Sequence, residues 1–469
     1  MGCYGAAQGS SPNIDQMTEE GILFDNCYSC WNTTDQSLTS ILSGRYPRTH
    51  GIVHHGDKIT LDDLKIYERL GISLLGDLLR QNGYHTMAVD WMGRWYKRGF
   101  DFYGYKPDLN FVQKFFYHLF KLPYLHVKYI IDNISLLKIY SKKRKTSVRT
   151  NVKSLKGVLK TFRFTFELAR IQDAGCVTDL AEQLIREKEV APFFLFLHYW
   201  DTHSPYNCPK KFMDSKSKKK TAVDLYMSKY KGAVRYVDYH LGRIKEVLKD
   251  EDLLDNTLFI ITSDHGESLT EHNIHFDHHG LYEVTTHVPL IFCGPGLFRE
   301  KKQIKSLIQH IDIVPTICDL LKIDREPYDF DGLSIFPLFK DEKKELRDFI
   351  FNEESYVQRK IGIRNHKYKY IMAPDGIGHC NYCQKVHVGA EELYDIRRDP
   401  EETKSLIDQK KELARDMKKQ LESFVSALDK KREDGLKRKK GESWRDKIML
   451  DPEEEKKIRK RLRSLGYMD

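Results

Sequence analysis

Leu74, Leu75, Leu78 and Leu79 recur at helical spacing, so Leu74–Asn82 is predicted as a helix stopped by Gly83 and followed by a short strand over His85–Asp90. Three uninterrupted apolar runs, Pro192–His198, Thr257–Thr262 and Val288–Cys293, lie between polar turns. Such runs predict strands covered on both faces. The third is closed by Gly294-Pro295-Gly296. Between the first two, Val234, Val237, Leu241, Ile244 and Leu248 make one apolar stripe and predict a long helix over Tyr230–Lys249. Strands alternating with helices predict an α/β fold with a mostly parallel central sheet between helices.

Residues 104–165 break this rhythm. The segment Phe115–Tyr129 mixes aromatic side chains with Lys and His, and a helical insertion is expected there. A packed helical lid is the simpler use of that composition, and peripheral contact with a membrane surface is the alternative. From about residue 345 the pattern changes again: Tyr356–Ile371 alternates, with Lys367–Tyr370 as a strand, and Glu402–Leu428 reads as a charged amphipathic helix. The expected organisation is an α/β domain over 1–340, a small antiparallel C-terminal α+β lobe over 341–430, and a basic tail over 431–469.

Composition narrows the class. With 469 residues, 40% apolar and 31% charged, the chain can bury a large core, which excludes a disordered or fibrous protein. The net charge of +9, from 77 basic and 68 acidic residues, comes largely from two runs, Ser141–Lys160 and Lys430–Arg463. It therefore describes appendages more than the core, and nucleic acid is a disfavoured partner. Nine cysteines, an odd number thinly spread, do not form a disulfide framework. A reducing, cytoplasmic location is the expectation, since the first residues lack a basic start and apolar run and no window of 18 residues is uniformly apolar.

Three constellations carry chemistry. The run Ile260–Ser263 ends in Asp264-His265-Gly266, placing a carboxylate and an imidazole at the carboxyl end of a buried strand, where ligands sit in open α/β sheets. An Asx turn is the structural alternative. Six histidines (His265, His272, His275, His278, His279 and His287) fall within the 23 residues 265–287, which favours a functional loop over a merely polar one. Beyond Phe193–Leu197 come Asp201 and His203, on a loop stiffened by Pro205 and Tyr206 and able to face a metal or a leaving-group oxygen. Hydroxyl residues crowd Asn32–Ser43 at a predicted helix start, where backbone N–H groups favour an anion; helix capping is their ordinary use.

Taken in order, these segments resemble the sulfatase family of the alkaline phosphatase superfamily. The resemblance rests on Ser11–Asp15 with Gly21–Phe24, Ser43-Gly-Arg-Tyr-Pro47 and His50-Gly51, Asp201–Tyr206, Tyr236-Val-Asp238, Ser263–Gly266, and His278–Tyr282 with Val288-Pro-Leu290. Glu392–Asp395 and Arg398–Glu401 resemble the family's C-terminal lobe. The resemblance implies hydrolysis or transfer of a sulfate or phosphate ester at a divalent metal (calcium, zinc or manganese). By position, Asp264, His265 and Thr34 would hold the metal, and His203 and His278 would contact the ester's oxygens or leaving group. Thr34 would be the nucleophile, while Arg45, Asp201 and His279 would support substrate binding. The substrate would be a small-molecule, glycan or lipid-headgroup ester.

Two departures qualify this. Where the family has Cys or Ser in a Cys/Ser-x-Pro-x-Arg context, converted to formylglycine, this chain has Thr34, Gln36 and Leu38. A threonine cannot become the aldehyde, so water must attack the central atom directly, a route suited to phosphoryl centres. The family also opens with a strand ending in acidic metal ligands just before the stretch matching Gly2–Gly5, and the expectation is that this first strand is missing here. A catalytically impaired binding protein is therefore the alternative to an enzyme. Separately, Cys380 and Cys383, near His379 and His387, form a candidate zinc knuckle, with two free thiols as the alternative. Metal activation of Thr34 requires its hydroxyl to lie within about 8 Å of the Asp264 and His265 side chains.

Overall fold

The computed structural model describes residues 1–7, 9–104, 173–187, 192–214, 221–298, 300–341, 344–378 and 389–438. Nearly all of the expected helical insertion, the Cys380/Cys383 pair and the chain beyond 438 lie outside the described residues. The described strands are β1 (Gly21–Tyr28), β2 (His85–Val89), β3 (Phe102–Gly104), β4 (Phe193–Leu197), β5 (Phe259–Thr262), β6 (His287–Cys293), β7 (Lys302–Ile304), β8 (Ile308–Gln309), β9 (Ile350–Glu354), β10 (Lys360–Arg364), β11 (Tyr368–Met372) and β12 (Glu391–Asp395). The chain divides into two compact units: Met1–Glu20, Gly83–Leu258 and Gly294–Arg299 form the first, and Gly21–Asn82, Phe259–Cys293 and Glu300–Asp469 form the second.

In the first unit β3, β2 and β4 form a parallel sheet, with His85 to Val89 paired against Phe193 to Leu197. The helix Ala222–Asp250 opens with a capping box between Thr221 and Asp224, which supplies acceptors for otherwise orphaned N–H groups. Its buried positions include Ala233, Tyr236, His240, Ile244, Val247 and Leu248, whereas Val234, Val237 and Leu241 are only half-buried. The apolar stripe read from sequence is thus rotated, because the amphipathic Tyr236 and His240 turn inward. Asp238 on the same helix accepts from the N–H groups of Asn13 (3.2 Å) and Ile14 (2.8 Å), fastening the start of the helix Pro12–Met17.

In the second unit the sheet order is β5-β6-β1-β7, with β8 also paired to β1. β1 runs parallel to β7 and β8, but β6 runs antiparallel to both β5 and β1. Parallel pairing dominates the two α/β sheets, with β6 as the reversed strand. Phe24 is wholly buried between Phe292 and Phe339, at ring-centroid separations of 5.9 and 6.2 Å. Gly21 lies against Cys293 so closely that a Cβ would sit 2.7 Å from the Phe292 carbonyl oxygen. The expectation that Pro192–His198 and Thr257–Thr262 are covered on both faces is corrected: β4 and β5 are half-buried throughout. Each is the edge of its sheet among the described residues, so one side lacks the neighbour that would complete its burial.

The antiparallel sheet β12-β11-β10-β9 lies within the same unit, and the helix Lys411–Arg438 packs Met417, Leu421 and Leu428 onto Phe351, Ile363, Tyr370 and Leu393. This helix begins nine residues after the expected Glu402 and runs ten beyond Leu428. Glu402 instead turns inward: its carboxylate pairs with Lys369 at 2.8 Å and also accepts the Glu283 N–H.

Glu283 is the knot of this unit. Its carboxylate accepts from the Tyr28 hydroxyl on β1 (2.8 Å), and pairs with Arg364 on β10 and Lys369 on β11 (3.1 Å each). Burial opposes its ionisation, yet the Lys369 and Arg364 charges outweigh burial and hold the carboxyl well below the usual range. A depressed carboxyl contributes stability above its unfolded pKa, which is lost as pH falls through the folded value. Glu283→Gln is therefore expected to lower unfolding free energy at pH 7 by about 3 kcal/mol, since buried Arg364 loses its carboxylate partner and Lys369 loses one of its two, keeping Glu402. Urea melts from pH 7 down to about 3 check this: the wild type should lose part of its stability below about pH 4, and the variant should lose less.

Candidate active site

β5 delivers the Ser263–Gly266 turn. His310, in the short turn after β8, lies fully buried beneath it and meets the Ser263 carbonyl through Nε2 at 2.9 Å. Burial brings the His310 imidazole down to about 4 despite the opposing effect of the Asp264 charge. Gly266 is required sterically, because a Cβ there would sit 2.2 Å from the Val284 carbonyl oxygen. Its N–H donates to the Thr285 carbonyl at 2.8 Å, tying the turn to the histidine loop.

The His265 ring contacts the Gly266 carbonyl through Nδ1 at 2.8 Å. A carbonyl only accepts, so Nδ1 carries the proton and Nε2 presents its lone pair. That Nε2 lies 3.4 Å from Thr34 Oγ1 and 3.4 Å from Asp264 Oδ2. Thr34 opens the helix Thr34–Ser43 after the extended Thr33, and its residue is 2% exposed. Thr34 Oγ1 and Asp264 Oδ2 thus each approach the same ring nitrogen of His265.

His278 stacks against His265 with ring centroids 4.1 Å apart and a 31° tilt. Its Nδ1–H donates to the Asn32 carbonyl at 2.6 Å, and the Asn32 side-chain amide donates to the Gly280 carbonyl at 3.1 Å. Gly280 N–H in turn donates to buried Glu354 at 2.7 Å. Burial pushes the Asp277 carboxyl up, but its bond to His279 and the charges of His278 and His279 bring it below its ordinary value overall. His279 faces Asp277 at 3.3 Å, and Arg45 pairs with Asp329 at 3.3 Å.

His203 and Asp201 belong to the first unit. His203 donates through Nδ1 to the Ser204 carbonyl at 2.7 Å and stacks on Trp200. Asp201 is buried and accepts the Ala174 N–H at 3.2 Å, at the start of the helix Ala174–Arg186. Burial first, and the Asp173 charge second, raise the Asp201 carboxyl well above the usual range. The supporting partners Asn32, Glu354 and His310 carried no catalytic assignment in the sequence reading. Asn32 had the one available signal, its place at the head of the hydroxyl-rich run; Glu354 and His310 sit in no cluster.

As donors to a metal, Asp264, His265 and Thr34 would supply a carboxylate oxygen, an imidazole nitrogen and a hydroxyl, with both oxygens 3.4 Å from His265 Nε2, which suits at most one face of a divalent-cation site. The fit is partial, because hard cations take six or more oxygen-rich ligands and zinc takes four. Among the described residues no group of three His, Cys, Asp or Glu side chains could hold a metal ion.

The fold is of the alkaline phosphatase-like class. Residues 1–323 match the Sulfatase family model and residues 270–427 match the N-sulphoglucosamine sulphohydrolase C-terminal model, so the chain belongs to the sulfatase family. An N-acetylgalactosamine-6-O-sulfatase of Bacteroides thetaiotaomicron is 26% identical, with 90% of each chain covered. Of solved structures, one in complex with its substrate D-glucosamine-2-N,6-O-disulfate aligns at TM-score 0.62 and 18% identity, covering 92% of this chain and 95% of that one. The phosphonate monoester hydrolase of Agrobacterium radiobacter aligns at TM-score 0.60 and 18% identity, covering 91% and 93%.

Gly266→Ala is expected to lower stability by more than about 2 kcal/mol, because the new methyl must displace backbone rather than a flexible side chain. Thermal melts check this; a variant that melts with the wild type would remove the steric account of the turn.

Proposed function

We propose that the chain hydrolyses sulfate or phosphate esters with Thr34 as the nucleophile, in a site where Asp264, His265 and Thr34 supply part of the hold on a divalent cation. The observation that carries the reading is the 3.4 Å approach of Thr34 Oγ1 to His265 Nε2. A bound cation would lower the pKa of the Thr34 hydroxyl and offset negative charge on the ester's oxygens.

The residues themselves do the rest. Thr34 Oγ attacks the central sulfur or phosphorus, and the bond to the leaving alkoxide breaks. His278, its Nδ1–H anchored on Asn32, directs Nε2 toward the ester oxygens. His203, in the first unit, is assigned the same kind of task by its motif alone; the imidazole that protonates the alkoxide enters the step as an imidazolium and gives up its Nε2 proton, while the Thr34 proton passes to His265 Nε2. Arg45 and His279 act through their carboxylate partners, Asp329 and Asp277, as supports of the loops that meet substrate. Asp201, buried at a helix start, supports the His203 loop in the same way. A threonyl ester lacks the geminal diol through which formylglycine sheds sulfate, so water must attack the central atom to release it. Phosphorus tolerates that attack better than sulfur, and the fold serves phosphonate ester hydrolysis in the Agrobacterium protein. Phosphoryl esters are therefore the favoured substrates.

A binding protein without turnover is the competing reading, favoured by the small donor set. Thr34→Ala separates the two when aryl phosphodiesters and aryl sulfates are assayed with added calcium, manganese or zinc. The enzyme reading expects the variant to lose at least about 100-fold in kcat; equal turnover would discard Thr34 as nucleophile, and no turnover by the wild type would favour the binding role. For the cation, calorimetric titration expects stoichiometric binding by the wild type, weakened at least about tenfold in Asp264→Asn. Binding that ignores Asp264 would place the ion elsewhere.

A further inference from the structure

The head of the helix Thr34–Ser43, in the second unit, holds a buried amide to which the ester chemistry gives no task. The first bond of the helix ladder runs from the Ser37 N–H to the Thr33 carbonyl at 3.1 Å. The N–H groups of Thr34, Asp35 and Gln36 lie ahead of that ladder and give the turn a partial positive charge. Thr33, at the cap position, does not cap the helix through its side chain. Its hydroxyl donates instead to Gln36 Oε1 at 2.6 Å, which folds the Gln36 amide back onto the residue that precedes Thr34. Gln36 is wholly buried, and its Nε2 has no hydrogen-bond partner among the described residues. Asp35, the acid of this turn, is engaged elsewhere: its Oδ2 accepts the Gly56 N–H at 2.9 Å and meets His55 Nδ1 at 2.9 Å.

We infer that Gln36 Nε2 is a catalytic donor, placed to hydrogen-bond a non-bridging oxygen of the tetrahedral centre that Thr34 attacks. A buried N–H group without an acceptor costs about 1–3 kcal/mol. Carried at the head of a helix beside the candidate nucleophile, that cost marks a position ready for an acceptor that arrives from outside. The amide oxygen is committed to Thr33, so the nitrogen is the end left to a ligand. Nε2 and the first-turn N–H groups can only donate, and such a set suits the oxygens of a sulfate or phosphate group. Because the amide is already held in place, it needs no reorganisation when Thr34 attacks. Thr33 acts through the Gln36 oxygen as a positioning residue.

This rests on the ester-hydrolase reading for the identity of the bound centre, but its test needs no turnover. Inorganic sulfate is titrated into the whole chain with manganese added and followed by calorimetry, with melts in the absence of sulfate run alongside. Gln36→Met, close in volume and without a donor, is expected to bind sulfate at least about tenfold more weakly than the wild type. Gln36→Glu keeps an acceptor for the Thr33 hydroxyl and completes the Thr-x-x-Glu pattern of a capping box, so an amide with only a structural task would be replaced without loss. A donor would not be. The carboxylate should repel sulfate at about pH 7, and binding should return toward the wild-type value as pH falls through the carboxyl pKa, because the protonated acid regains an O–H donor. The inference is overturned if the wild type shows no saturation by about 20 mM, as a position filled by water alone would behave. It is also overturned if either variant binds sulfate like the wild type at about pH 7, or if both fail to fold, which would assign the amide to the fold. Sulfate held through Gln36 by a chain that hydrolyses no ester would sink the hydrolase reading alone; ester hydrolysis by Gln36→Met at the wild-type rate would sink this inference alone.

Discussion

The second unit depends on how the histidine loop is held down. Tyr282 and Glu283, just beyond His278-His279-Gly280-Leu281, reach Glu392 on β12, Tyr28 on β1, Arg364 on β10 and Lys369 on β11. Polar groups buried to this extent must be matched, and the matching fixes position more sharply than apolar contact does. The loop can therefore place His278 against His265 in one arrangement only, with Gly280 held by Glu354 from the other side. The C-terminal sheet, remote from the candidate nucleophile in sequence, is in this sense part of the site's scaffold. Its removal would free a loop rather than merely shorten the chain.

His265, His278 and His203 share a further feature. Each commits Nδ1 to a backbone carbonyl: Gly266, Asn32 and Ser204 respectively. A carbonyl fixes the tautomer without adding a charge, so Nδ1 carries a proton in all three. His198 differs, because its Nδ1 meets the Asp90 carboxylate. That distinction divides the imidazoles by chemistry: three oriented by neutral dipoles, one by an anion.

Local periodicity made the simplest elements legible. Leu75–Gln81 forms a helix between Leu74 and Asn82, and β2, β4, β5 and β6 fall where the apolar runs lie. What the runs do not encode is direction or position in a sheet. A continuous apolar stretch reports burial in either orientation, so the reversal of β6 and the edge positions of β4 and β5 were beyond it. The helix Ala222–Asp250 was legible as a helix, yet its buried face was not, because tyrosine and histidine bury or expose according to their tertiary partners. Glu402 looked like the start of an exposed helix for a similar reason: its partner, Lys369, is 33 residues away and itself looks like a surface lysine.

The site was legible only as an ordered series. Thr34 and His265 are 231 residues apart, and no property of either segment alone links them. Order and spacing of motifs link them because a fold shared across a family keeps such segments adjacent. A β-branched hydroxyl at the first position of a helix, 2% exposed and 3.4 Å from an imidazole lone pair, is expensive to hold if capping were its purpose, since Thr33 already occupies the cap position. Neither neighbour caps that helix through its side chain: Thr33 donates its hydroxyl to Gln36 instead. With capping set aside, the contact that accounts for the Thr34 hydroxyl is His265 Nε2 at 3.4 Å.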